Sequence, residues 1–160
     1  MKQALSRSIG RVALRFACAL GMALWLGGFT FYSAFVVPTL RDELGGLGSG
    51  LVTQRVTNDL NLMGAIALVP WWIEAWIGRA GAPRWRGRLQ WTLLATTTAG
   101  LVWLAVLHRS LDRLLESDQM ASFHPMHELY LIVSTVMWVA NIGLVAIASV
   151  PERPPARSAG

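Results

Sequence analysis

The 160-residue sequence is 54% hydrophobic and only 14% charged, against about 25% charged in soluble domains, which excludes an ordinary soluble domain. Its net charge of +5 does not point to nucleic acid, because the basic residues lie in short segments between apolar runs. A single cysteine, Cys18, excludes an intrachain disulfide and a cysteine-based structural metal cage.

The first element is Phe16 to Leu40, 25 consecutive positions without a charge. A run of roughly 20 apolar residues is long enough to cross a bilayer. The basic start, MKQALSRSIGRVALRF, resembles that of a signal peptide. The run that follows exceeds the ~7–15 residues of a signal core, so it reads as an uncleaved first span over about 12–40. Arg15 stands where a lipoprotein box would need an aliphatic residue. Gly21, Trp25, Gly28 and Tyr32 share one helix face. Ala17/Gly21 and Ala23/Gly27 are small-residue pairs that permit close helix approach in lipid.

Residues 45–50, GGLGSG, read as a flexible connector. They are not a phosphate loop, since Leu51 and Val52 follow in place of Lys and Ser/Thr. A second span covers about 60–77, on a helix that starts near Leu51 because Val52, Val56 and Leu60 repeat every four residues. Pro70 is expected to kink it. Glu74 is the one acid inside an apolar run. It is either a functional intramembrane acid or a near-interface group paired with Arg79 or the headgroups.

Residues 78–88 form a basic turn, and a third span covers about 89–107. Thr96, Thr97 and Thr98 can bond back to their own helix carbonyls. The stripe Leu107, Leu111, Leu114 and Leu115 carries this helix beyond the membrane. A connector is expected at 117–124, then a helix opening at Pro125, then a fourth span over about 129–150. The Pro-rich tail 151–160 is expected to be disordered.

The fold class is therefore all-α, a polytopic membrane protein with four transmembrane helices in an up-down-up-down bundle occupying residues 1–150. Lys2, Arg7, Arg11, Arg15, Arg79, Arg84, Arg86, Arg88, Arg153 and Arg157 would share one side. Only Arg41, Arg55, Arg109 and Arg113 would face the other, so both termini are expected in the cytoplasm. Trp71, Trp72, Trp76, Trp85 and Trp91 then form an aromatic belt at the cytoplasmic interface.

This topology brings polar residues to the outer half of the bundle. On the fourth span His127, Tyr130, Ser134, Trp138 and Asn141 share a face, and on the third Thr97, Leu101, Leu104 and His108 do. His108, His127, Tyr32, Asn61 and Ser134 are the candidate polar or ligand site. Met120, His124, Met126 and His127 form a Met/His patch of the kind that suits copper. The other reading of these residues is hydrogen bonding between helices at the water interface. No H-E-x-x-H, C-x-x-C or G-x-S-x-G motif is present. A haem between two spans usually needs histidines deeper than these two.

Two stretches carry a family resemblance. Ala23-Leu24-Trp25-Leu26-Gly27-Gly28-Phe29 with Val36-Val37-Pro38 is one. His127-x-x-Tyr130-Leu131-x-x-Ser134-Thr135-x-x-Trp138 is the other. Together they resemble bacterial small membrane proteins of the transmembrane-205-like family, whose function is uncharacterised. The first-span pattern is also similar to that of copper-resistance-D-type membrane proteins. The former resemblance implies a four-helix membrane domain with no assigned catalytic residues. The latter implies copper handling.

The reading that follows is a non-enzymatic binding or accessory component of the bacterial inner membrane, associating with the lipid bilayer and with itself or a larger membrane complex. The alternatives are a copper-handling protein using the outer His/Met patch, and a redox subunit binding haem or quinone near His108 and His127.

Overall fold

Backbone groups in lipid have no water to bond, so a bilayer-length apolar run closes its own hydrogen bonds as a helix. A computed structural model describes residues 2–77, 84–116 and 120–149, and these are helical throughout apart from one break. Four helices are long and apolar enough to cross a membrane: Ile9–Gly45, Gly48–Ile77, Arg84–Leu111 and Pro125–Ser149. Between 17% and 28% of an 18-residue apolar stretch in each span is buried within the chain, so most apolar side chains face outward, as lipid requires. The chain is an all-α, multi-pass membrane protein with four spans.

Each helix outruns the apolar segment that announces it, because helical hydrogen bonding continues in water where hydropathy stops. The first helix runs through Val37 and Pro38 to Gly45, whose φ of +69° breaks it. Glycine adopts that value without a Cβ clash. The second span resumes at Gly48 rather than near Leu51, so the connector expected at 45–50 is one sharp break at Gly45 with helix on both sides. Pro70 lies inside the helix of the second span. The third helix, Arg84–Glu116, keeps its leucine stripe, with Leu107 and Leu111 buried. The fourth helix begins at Met120, not Pro125. Pro125 falls in its second turn, where the ring removes one ladder bond. The connector expected at 117–124 is correspondingly shorter, with 117–119 outside the described residues. The 78–83 part of the basic turn and the tail 151–160 also lie outside them.

A π-helical turn at Tyr32–Val36 precedes Pro38, with the Val37 N–H bonding the Tyr32 carbonyl. Pro38 offers no N–H and crowds the carbonyl four residues back. One extra residue in the preceding turn accommodates both effects.

Consecutive spans are antiparallel, as their contacts show. Between the first and second, a Cβ on Gly21 would meet Ala67 at 3.3 Å and one on Gly28 would meet Leu60 at 3.4 Å. Trp25 lies over Gly64, whose added Cβ would fall inside the indole. Between the third and fourth, Gly100 receives Met137 and Gly143 receives Leu93. The third and fourth spans pack most extensively, then the first and second, while the first and fourth touch far less. Met22, Leu94, Leu104 and Leu144 fill the centre.

An uncharged cavity between the four spans

Uncharged polar side chains in a span need partners from neighbouring helices, and here they find them across the bundle. Thr97 and Asn141 are fully enclosed, and the Thr97 hydroxyl donates to Asn141 Oδ1 at 3.2 Å. Asn61 Nδ2 donates to the Tyr130 hydroxyl at 3.0 Å, joining the second span to the fourth. Ser134 is buried and donates to its own helix, to the Tyr130 carbonyl at 2.8 Å.

Three of these residues, Asn61, Ser134 and Asn141, line a cavity of about 20 Å³. The first span contributes Trp25, Leu26 and Phe29, the second Asn61 and the third Leu104. The fourth contributes Ser134, Met137, Trp138 and Asn141. No lining residue carries a carboxylate, imidazole or amine. The space is about that of one water, which needs two to four polar partners, and Asn61, Ser134 and Asn141 supply them. Outside it, between the first and fourth spans, a groove of about 310 Å³ is lined by Phe29, Thr30, Ser33, Ala34, Thr135 and Trp138.

The structure sorts the residues singled out from the sequence. Asn61 and Ser134 come together at the cavity. Tyr32 is buried but does not line it, and its hydroxyl has no hydrogen-bond partner among the described side chains. His108 is half-buried on the third helix and His127 is exposed on the fourth, and neither lines the cavity. Met126 is half-buried and packs against the core. The Met120 and His124 side chains lie outside those described. Among the described residues, no three or more His, Cys, Asp or Glu are grouped so as to hold a metal.

At the opposite end, Glu74 Oε2 accepts from Gln90 Nε2 at 2.7 Å. The expected partner Arg79 is outside the described residues. Trp72, Trp76 and Trp91 form a ring cluster, with Trp72 and Trp91 edge to face at 5.0 Å. Trp72 Nε1 donates to Thr98 Oγ1 and Trp71 Nε1 to the Cys18 carbonyl, each at 3.1 Å. Thr97 and Thr98 therefore bond across helices and not, as expected, back to their own. A side chain in lipid can do either, and here an amide and an indole from the facing helices stand within reach.

Sequence reasoning placed Asn141 on the inward face of the fourth span but missed its role. The available signal was an amide deep in the most hydrophobic span, mean hydropathy 2.2, where an unpaired polar group is costly. The Asn61–Tyr130 pairing had no such signal, because it joins spans that are not consecutive in sequence. Comparison with protein-family models, with curated proteins and with solved structures finds no match to this chain.

Proposed function

We propose that this protein is a non-enzymatic binding component of the bacterial inner membrane that holds a neutral molecule against its bundle, with one polar atom of that molecule in the central cavity. The observation that carries this reading is the cavity lined by Asn61, Ser134 and Asn141 with no titratable carboxylate, imidazole or amine. General acid–base chemistry needs a group that gives or takes a proton near neutral pH. Neutral amides and hydroxyls instead orient a bound molecule through directed hydrogen bonds. The concentration of Lys and Arg before Phe16, in 79–88 and after Val150 supports cytoplasmic termini.

Protein purified in mild detergent is expected to carry a neutral organic molecule that solvent extraction and mass spectrometry identify. Ser134→Val, which adds methyl groups to the cavity, is expected to release it. Extracts free of any such molecule from wild type and variant alike would sink the reading. Topology is checked by single cysteines introduced at 81–87 and 45–50 with Cys18 replaced. The first set should be shielded from, and the second open to, an impermeant thiol reagent added outside.

A further inference from the structure

The central cavity and the outer groove share two lining residues, Phe29 and Trp138, so these rings are the wall between them. The wall is fastened by one hydrogen bond, from Trp138 Nε1 to Thr30 Oγ1 at 3.1 Å. That bond crosses the seam where the first and fourth spans touch only lightly. Trp138 is 37% exposed, so its ring stands at the outer face and not in the core.

The occupant can be argued from size, charge and access. A cavity of about 20 Å³ admits one oxygen atom and little more. The groove of about 310 Å³ lies at the lower end of small-ligand sites, roughly 300–1,000 Å³. Neither space is lined by a charged side chain, so a charged headgroup would be desolvated without compensation. The groove opens sideways between two membrane spans, so its supply is the bilayer. Asn141 spends its oxygen on Thr97, leaving two amide N–H donors to offer an acceptor. Phe29 and Trp138 present two aromatic rings, which favour a planar partner.

Building on the binding role proposed above, we infer that the seam between the first and fourth spans is a lateral opening for a lipid-soluble quinone. The ring lies in the groove against Phe29 and Trp138, and one carbonyl oxygen takes the place of water in the cavity. The hydroxyl-bearing residues Thr30, Ser33 and Thr135 also line the groove. The Trp138–Thr30 bond must open for the oxygen to pass.

The test uses the full chain in phosphatidylcholine nanodiscs with decylubiquinone as the probe, counting quinone retained above protein-free discs. Wild type is expected to retain it saturably. Thr97→Val with Asn141→Leu removes the donor without orphaning its partner and is expected to weaken retention about tenfold, the worth of one hydrogen bond. Ser134→Val fills the cavity and is expected to abolish retention, which keeps the test decisive if the double variant does not fold. Thr30→Val and Trp138→Phe unfasten the seam and are expected to raise apparent affinity several-fold. Retention equal in all variants means partition into lipid only and overturns the proposal, as does no saturable retention. A cross-linked dimer covering the groove, with no quinone held, also overturns it. If Ser134→Val abolishes retention while Thr30→Val and Trp138→Phe change nothing, the lateral opening falls and the binding role stands.

Discussion

The two seams made by the first span differ in kind. Against the second span it presents Gly21, Trp25 and Gly28, and each meets a residue shaped to receive it: Ala67, Gly64 and Leu60. Against the fourth it presents Phe29, Thr30 and Ser33, and the facing residues Thr135 and Trp138 leave a groove. The difference teaches what holds helices together where lipid removes the hydrophobic drive. Backbones close up where glycine lets a neighbour approach, as Gly21 does for Ala67 and Gly64 for Trp25, and the seam with no such glycine stays open. A polar bond then bridges the gap, as Trp138 to Thr30 does.

Removing the largest knob should break the tight seam most severely. Trp25→Ala leaves a void over Gly64 and is expected to cost about 3–5 kcal/mol, measured by unfolding in mixed micelles. Overfilling the same place comes next. Gly64→Ala drives a methyl into the Trp25 ring and is expected to cost roughly 1–3 kcal/mol. Combining it with Trp25→Leu should be less damaging than the sum of the two, and strict additivity would disprove the knob-and-hole account. The open seam should respond far less. Thr30→Val removes one interhelical hydrogen bond, worth about 0.6 kcal/mol on average in a membrane. A loss comparable to that of Gly64→Ala would mean that the first and fourth spans are as tightly locked as the other pair. The smallest effect is expected at Gly27, where an added Cβ meets nothing within 4 Å. Gly27→Ala should stay within about 0.5 kcal/mol of wild type, as surface substitutions do. A large loss would indicate a partner on that face.

Ala17/Gly21 and Ala23/Gly27 show how far a pattern can be read. Both have the spacing that permits close approach, yet Gly21 meets Ala67 and Gly27 meets nothing. Spacing assigns residues to a face, but which face finds a neighbour depends on where the other helices stand. The face of Gly21, Trp25, Gly28 and Tyr32 was readable because one helix period relates all four. The inward turn of Thr97 and Leu104 on the third span was readable for the same reason, and both are buried. The candidate site was readable only in part. Periodicity put Ser134 on a polar face and topology put Asn61 at the same level, but they adjoin through separate helices whose depths no local rule sets. His108 and His127 illustrate the same limit, since a shared level in the bundle does not place either at the cavity.

By itself, the sequence determined the number of spans, their helical state and the apolar character of their outer faces. Bilayer thickness and the obligation of every backbone group to find a bond leave an apolar run of that length no other form. The tertiary structure decided which polar groups meet, which glycine is a socket and which is idle, and where two helices fail to close. Those outcomes depend on the relative depth and rotation of separate helices, set by side chains far apart in the chain. The cavity among Asn61, Ser134 and Asn141, and the groove that Trp138 closes off from it, belong to this second class.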